Sequence, residues 1–267
     1  MHMEMDMNIF SIIVCSHFMN LLFFTSDFLM YRFPSTGILT SWCARTPNSL
    51  FLTTVVFLTY YSEYAVLLFP SLLSAIRLFL MIRPLSTTVF RLILPIVFIY
   101  PLFSTFFLIP AKGICKPLGE PYPFGALMVY YTDSYMGIHN SPFILGNTMV
   151  WMVIGAVVNI GLLEKVAGFN LQKRSLSLRS SKSRSAEFSI TITTISMLLS
   201  ALINCIFVVS YLQLPVYINY ITVFKPIGSD LETVVSPWMF YLTHPIFRKK
   251  KRVGKVEQEG KERVPFL

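Results

Sequence analysis

The chain has 267 residues, of which 54% are hydrophobic and only 13% are charged, and its mean hydropathy is +0.63. A soluble domain carries about 25% charged residues, so this composition excludes an ordinary soluble domain. Several apolar runs exceed the ~20 residues that a helix needs to cross a ~30 Å hydrocarbon core. We therefore expect an all-α, polytopic transmembrane helix bundle whose solvent is the lipid bilayer.

Hydropathy predicts six spanning helices in chain order. Their ranges are 8–31 (helix A), 50–77 (helix B), 89–110 (helix C), 143–164 (helix D), 188–212 (helix E) and 218–243 (helix F). Helix F contains Lys225, Pro226, Asp230 and Glu232, so a loop is expected over its outer third. The two long connections, A–B and C–D, lie on the same side of the predicted bundle.

The net charge of +9 follows from two basic clusters rather than from an even spread. Six Lys and Arg lie in 165–184, and eight lie in 248–263. Basic residues beside apolar helices mark the cytoplasmic side, and nucleic-acid binding is not expected. The connections on that side hold 16 Lys and Arg against four on the other. Residues 1–247 are therefore predicted to form the bundle, and 248–267 a cytoplasmic C-terminal tail.

Helix B carries a polar stripe along one face. Its members are Thr59, Glu63, Pro70, Ser74 and Arg77. Because charges facing lipid are costly, the stripe should face the bundle interior. Glu63, with Tyr60 beside it, is predicted near mid-membrane. Two interpretations stay open: a ligand contact or switch, and a structural hydrogen bond.

Helix E carries a similar stripe of Thr193, Ser196, Ser200, Asn204 and Tyr211, and helix A a weaker one of Ser16, Asn20 and Asp27. Close helix packing is the favoured interpretation of the helix E stripe.

Four cysteines separate into two kinds. Cys15 and Cys205 lie inside apolar spans. Cys43 and Cys115 lie in the two long connections, where an oxidising exterior favours a disulfide. The chain contains no metal-binding spacing and no catalytic motif, so neither a cofactor nor an enzyme activity is expected. The aromatic segment 121–131 is interpreted as a pocket cap or as an interfacial aromatic belt.

Five segments together resemble the nematode serpentine chemoreceptors, seven-helix receptors of the G-protein-coupled type, and most closely serpentine receptor class U. They are FPSTGILTSWCA (33–44), PSLLSAIRLFLMIRP (70–84), PYPFGALMVYY (121–131), AEFSITITTISMLLS (186–200) and SPWMFYLTHPIFRKK (236–250).

The resemblance implies that helices A to F are the second to seventh helices, with a first helix missing ahead of them. Cys43 and Cys115 match the outer disulfide pair of such receptors. Arg77, followed by Arg83 in the B–C turn, is similar to the arginine that contacts the G protein. Ala75-Ile76 precede Arg77, which departs from the rhodopsin-like pattern of an acidic neighbour.

The functional hypothesis is a chemosensory receptor in the plasma membrane, with the sensory cilium as an alternative location. A small molecule would bind between the outer halves of helices B, D, E and F, and a heterotrimeric G protein would bind the inner ends. The expected pocket residues are Tyr60, Glu63, Asn204 and Tyr211. A transporter or channel subunit and a non-signalling truncated receptor are the alternatives. Transporters often show internal repeats, and none is found in this sequence.

Overall fold

The computed structural model describes most of the chain up to residue 173 and parts of the remainder. The described residues are 2–46, 49–82, 87–173, 199, 202–203, 205–207, 209–210, 212–214, 217–235, 238 and 241–242. Helix E therefore falls mostly outside the described residues, and so does the basic tail.

The described residues include six α-helices of six residues or more and one β-hairpin. The helices are α1 (His2–Asp27), α2 (Thr40–Arg45), α3 (Leu50–Ile82), α4 (Thr87–Thr105), α5 (Asn140–Lys173) and α6 (Ile218–Asp230). A π-helical turn, Phe28–Arg32, and the short segment Phe33–Ser35 continue α1, and a second π-helical turn, Leu231–Val235, continues α6. The strands are β1 (Lys112–Pro117) and β2 (Leu127–Thr132). Single 3₁₀ turns, Phe106–Leu108 and Tyr135–Gly137, precede and follow the hairpin.

Three helical stretches among the described residues are long and apolar enough to cross a membrane. They are Ser11–Ser35, Leu50–Ile76 and Asn140–Leu162, and Leu92–Leu108 is a shorter apolar helix. These four correspond to predicted helices A, B, D and C. Helix F is described as α6 and the turn after it, and Pro226 and Asp230 lie within its helical part. The expectation of a loop over the outer third of helix F is therefore wrong.

α3 is the central helix, and it packs against α1, α4, α5 and β1. Its apolar side chains contribute to two buried clusters, one around Leu52, Val56 and Phe107 and one around Phe69 and Val97. Some hydroxyl groups of α3 are satisfied within the helix, since the Thr59 hydroxyl donates to the Val55 carbonyl at 2.7 Å. Such local bonding lets a hydroxyl lie inside an apolar span with its donor paired, whereas Ser74 Oγ is buried without a hydrogen bond.

Two contacts join α3 to its neighbours in the middle of the bundle. The Ser71 hydroxyl, directly after Pro70, donates to the Trp151 carbonyl of α5 at 2.8 Å. The Tyr61 hydroxyl donates to the Phe98 carbonyl of α4 at 3.1 Å. The predicted polar stripe of helix B does face the interior, because Thr59 and Ser74 are fully buried.

The C–D connection forms an antiparallel hairpin, which the sequence reading did not predict. Lys112 pairs with Thr132, and Pro117 pairs with Leu127 at the other end of the ladder. Gly113 lies directly against α3, since a Cβ built on it would be 2.3 Å from the Leu52 carbonyl carbon. The Gly113 amide also donates to the Thr53 hydroxyl at 2.9 Å. The hairpin is therefore held against the first turns of α3, and only glycine allows this approach.

A disulfide joins Cys43 of α2 to Cys115 of β1, with an S–S distance of 2.02 Å, as the sequence predicted. It links the A–B connection to the hairpin across 72 residues of sequence. We call this end of the molecule, with the hairpin and the disulfide, the hairpin end of the bundle.

Candidate ligand site at the hairpin end

Four charged side chains from α1, α6 and the turn after α1 form a cluster near the hairpin end. Arg32 binds Asp230 through two hydrogen bonds, Nη2 to Oδ1 at 2.7 Å and Nη1 to Oδ2 at 3.1 Å. Asp27 lies 3.6 Å from Arg32 Nε and 3.5 Å from Lys225 Nζ, both measured to its carboxylate oxygens. The cluster thus connects two helices that are about 200 residues apart in sequence.

The π-helical turn explains how Asp27 and Arg32 reach the same face. The two residues are five apart, and in an α-helix at 100° per residue they would point in quite different directions. Hydrogen bonds of the i→i+5 type widen the turn, and the Phe33 amide does donate to the Phe28 carbonyl. The wider turn brings Arg32 back over Asp27.

Aromatic rings surround the two cations of the cluster. Lys225 Nζ lies 3.8 Å from the centroid of the Tyr31 ring, and Arg32 Cζ lies 5.2 Å from that of Phe24. A cation over a ring face is stabilised by the ring's quadrupole, and more strongly when both are desolvated. These rings therefore help to offset the cost of burying the two cations.

A cavity of about 190 Å³ opens beside this cluster. Its lining residues come from the end of α1, from α6 and from the connection between the two strands: Asp27, Tyr31, Arg32, Ser35, Leu118, Tyr122, Val223, Lys225 and Pro226. Burial raises the pKa of the Tyr122 phenol, so this side chain stays protonated and able to donate a hydrogen bond at neutral pH. The hairpin connection thus covers a small cavity that has both charged and apolar walls.

Two polar atoms at this cavity are buried and form no hydrogen bond. They are Asp27 Oδ1 and Arg32 Nε, and the Asp27 side chain is only 2% exposed. The ion-pair distances of 3.5 and 3.6 Å exceed the 2.7–3.2 Å range of a good N–H···O hydrogen bond. Each atom is held instead in an ion pair, Asp27 Oδ1 with Lys225 and Arg32 Nε with Asp27.

Tyr60 and Glu63 lie behind this cavity and not on its wall. Both interact electrostatically with Lys225, which does line it. The Tyr60 ring packs edge-on against Tyr131 of β2 at 5.9 Å, and Glu63 Oε2 is buried without a hydrogen-bond partner. The structure therefore places these two predicted pocket residues next to a lining residue.

Two further sets of polar contacts join α3, α4, α5 and β2. The Tyr64 hydroxyl donates to Asn140 Oδ1 at 3.0 Å, and the Asn140 amide donates to the Tyr131 hydroxyl at 2.7 Å. Trp151 Nε1 donates to the Tyr100 hydroxyl at 2.8 Å, and Tyr100 also bonds to Asn147. These contacts fix the start of α5 relative to the hairpin.

The other residues predicted from sequence lie beyond what the structure describes. Asn204, Tyr211 and Arg83 are outside the described residues. Arg77 belongs to the described backbone of α3, but its side chain is outside the described part. Within the described residues, no group of three or more His, Cys, Asp or Glu side chains is placed to hold a metal ion.

The sequence reading missed the pairing of Asp27 and Arg32 with Lys225 and Asp230. A signal was present: each helix carries one acid and one base five residues apart, in opposite order. Charges of both signs at the ends of two apolar spans are costly alone and favourable together. This complementary order of charges could have predicted that the two segments pack against each other.

The apolar spans, the buried polar contacts between helices and the hairpin define a polytopic membrane protein with a helical bundle. The chain matches the family model for the serpentine type 7TM GPCR chemoreceptor Sru over residues 1–250. It is also 36% identical over 219 residues to serpentine receptor class U-26 of Caenorhabditis elegans, covering 79% of this chain and 74% of that protein. The chain therefore belongs to the Sru family of serpentine chemoreceptors, which confirms the resemblance, the fold class and a multi-pass, receptor-type membrane protein.

Proposed function

We propose that the chain is a chemosensory receptor that binds a small molecule in the hairpin-end cavity and signals to a heterotrimeric G protein. The observation that carries this proposal is the cavity itself, which lies between α1, α6 and the hairpin connection. Its volume of about 190 Å³ is below the 300–1,000 Å³ of sites for drug-sized ligands. The site therefore fits a compact ligand. Membership of a receptor family favours this proposal over a transporter or channel subunit.

The proposed pocket combines residues that line the cavity with residues that the sequence predicted. Asp27, Arg32 and Lys225 contact the ligand directly, and Tyr60 and Glu63 act through Lys225, with which they interact. Asn204 and Tyr211 are proposed to contribute from helix E. This arrangement supports a site in which helices from both ends of the chain contact one ligand.

Signalling would use the ionic contacts between α1 and α6. A ligand shifts a conformational equilibrium only if it binds one state better than the other. A molecule in this cavity touches Arg32 and Lys225, and these two side chains connect the helices through Asp230 and Asp27. A change in their pairing alters how α1 and α6 pack. Arg77 and Arg83, at the opposite end of α3 and just beyond it, are proposed to present this change to the G protein.

The proposed orientation places the hairpin end outside the cell and the basic tail in the cytoplasm, in the plasma membrane. Inserting an Asn-Gly-Thr glycosylation acceptor after Phe124, which is fully exposed, should yield a glycosylated chain. The matched control carries the same tripeptide within 175–185 and should stay unmodified. Glycosylation of the control alone would invert the orientation.

The test of function is a reporter cell that expresses the chain with a promiscuous G protein and is exposed to volatile and soluble odorants. A responding ligand should lose its effect with Arg77→Ala, because coupling is lost, and surface expression should stay unchanged. Arg45→Ala, in α2 near the disulfide, is the matched control and should respond normally. A full response from Arg77→Ala would contradict the coupling role.

A further inference from the structure

We infer that a second cavity, between α4 and α5 with α3 behind it, binds uncharged lipophilic molecules that carry one hydrogen-bonding group and enter from the bilayer. Its volume is about 450 Å³, within the range of about 300–1,000 Å³ for small-molecule sites. We call it the lateral cavity. It shares no lining residue with the hairpin-end cavity, so this inference stands apart from the proposed receptor function.

The lateral cavity opens sideways, towards lipid. Its lining residues come from α3, from the second half of α4 and from the start of α5, and all of them fall within the apolar helical stretches of the bundle. Gly146, which lines the cavity, shares one face of α5 with Phe143, Val150 and Val157. These three apolar side chains are exposed in the described structure. An exposed apolar face of a spanning helix contacts the hydrocarbon, so a molecule dissolved in the bilayer can reach the cavity.

Gly146 leaves room in the wall of the cavity. A glycine in the interior of a helix is unfavourable relative to alanine, so a packing or functional reason for it is expected. The backbone supplies no reason, because Gly146 is not among the described glycines with positive φ. Packing supplies none either, since a Cβ built on Gly146 would meet no described atom within 4 Å. The absent side chain instead enlarges the cavity, which is what a bound molecule requires.

Hydrogen bonds between helices hold the walls of the lateral cavity in place. The Tyr100 hydroxyl of α4 donates to Asn147 Oδ1 of α5 and accepts from Trp151 Nε1 at 2.8 Å. The Tyr64 hydroxyl of α3 donates to Asn140 Oδ1 at 3.0 Å. Three of these side chains, Tyr64, Tyr100 and Asn147, line the cavity. Because the contacts fix the spacing of the three helices, the cavity is pre-formed, as most ligand sites largely are.

The lining sets the chemical class of the ligand. None of the described lining residues carries a charge, and an ion that leaves water for such a site loses its hydration without gaining a partner. Ser104 supplies a polar contact, because it is partly exposed and lines the cavity. Its hydroxyl lies 3.3 Å from the Tyr100 carbonyl oxygen, beyond the range of about 2.5–3.0 Å for a good O–H···O hydrogen bond. A ligand hydroxyl can therefore bond to Ser104 with little loss.

The test uses the purified chain in lipid nanodiscs and a photoactivatable, diazirine-bearing analogue of 1-decanol. After illumination, mass spectrometry should find the adduct mainly on Tyr100, Ser104 and Phe143, and an excess of 1-decanol should reduce this labelling. Decane at the same mole fraction in the membrane should compete about 5-fold less well, because it makes no hydrogen bond. Decanoate and decylammonium should also compete less well than 1-decanol. Labelling spread evenly over the lipid-facing helices, equal competition by decane, or stronger competition by an ion would each overturn the inference.

Three variants locate the binding. Gly146→Leu fills the lateral cavity and should abolish labelling of its lining, and it should fold, because leucine forms helix better than glycine. Ala156→Leu is the matched control, since it enlarges a small residue at an exposed position of α5 that does not line the cavity. It should be labelled normally. Ser104→Ala should remove the advantage of 1-decanol over decane. Labelling that survives Gly146→Leu would overturn the assignment of the site.

Discussion

Arg32 and Asp230 form a bidentate ion pair between the π-helical turn that follows α1 and the last residue of α6. A guanidinium binds a carboxylate with two parallel hydrogen bonds in a fixed geometry, which a lysine cannot reproduce. Asp230 is partly exposed and Arg32 is largely buried. The pair therefore sets the distance and the rotation between the two helices that flank the cavity.

Replacing Asp230 by Ala should lower the free energy of unfolding by about 1–3 kcal/mol, because Arg32 then loses two charge-assisted hydrogen bonds. Thermal unfolding in nanodiscs measures the change. Lys112→Ala is the matched control, since it breaks the exposed pair Lys112–Asp133, whose side chains are 62% and 59% exposed. Such surface pairs contribute only about 0–1 kcal/mol. An equal effect of the two variants would show that the Arg32 pair has no special role.

The disulfide should resist thiol reagents on intact cells until a reductant is added. Closing a loop of about 70 residues stabilises the fold by ~4 kcal/mol in the chain-entropy view. Cys43→Ser should therefore lower surface expression and leave Cys115 open to labelling by a membrane-impermeant maleimide. Cys15→Ser removes a free thiol within α1 and should leave expression unchanged. Labelling of Cys43 and Cys115 without reductant would exclude the bridge in the cell.

Glu63→Gln should be neutral or slightly stabilising. The change keeps the shape of the side chain and breaks no hydrogen bond at Oε2, which is buried without a hydrogen-bond partner. Asp27→Asn makes the same chemical change at the residue that partners both Arg32 and Lys225, so it should destabilise the chain. Thermal unfolding of the two variants provides the comparison. A larger loss of stability for Glu63→Gln would reverse their assigned roles.

Gly113→Ala should destabilise the hairpin end by about 1–3 kcal/mol, the range for overpacking a core. Its Cβ would be 2.3 Å from the Leu52 carbonyl carbon, and neither backbone can move easily. Gly146→Ala in α5 is the control, because a Cβ there meets nothing within 4 Å. That change should be neutral or stabilising, since alanine favours the helix. A tolerated Gly113→Ala would mean that the hairpin does not rest on α3.

The sequence predicted the helices well where one physical rule dominates. Long apolar runs predicted α1, α3 and α5, and the placement of two cysteines in outer connections predicted the disulfide. The hairpin was missed because Leu127–Thr132 is apolar or aromatic at almost every position, so the alternation that indicates a half-buried strand is absent. Pro226, with the charged residues Lys225 and Asp230, disfavoured a helix at 218–230. In the structure, however, Arg32 binds both the Pro226 carbonyl and Asp230. A short stretch of sequence does not show such contacts with a distant helix.

The cavity could not be predicted from any one segment either. The polar stripe of helix B predicted Glu63 and Tyr60 as pocket residues. They do not line the cavity, but both interact with Lys225, which does. The wall itself depends on the π-helical turn at Phe28–Arg32, which rotates Arg32 over Asp27, and on a contact between residues about 200 positions apart. The sequence shows which charged residues lie in apolar spans, whereas the structure shows which of them form ion pairs with one another.

The separation of 198 residues between Arg32 and Asp230 has a consequence for how the chain is made. At about 5–20 residues per second, roughly 10–40 s pass between the synthesis of the two. Asp27 and Arg32 lie near the end of the span Ser11–Ser35, and within the cluster they have only each other during this interval. The cluster is complete only when α6 reaches the membrane. Completion of the charge cluster is therefore a late event in biogenesis, and a nascent chain stalled before α6 would leave Asp27 and Arg32 without Lys225 and Asp230.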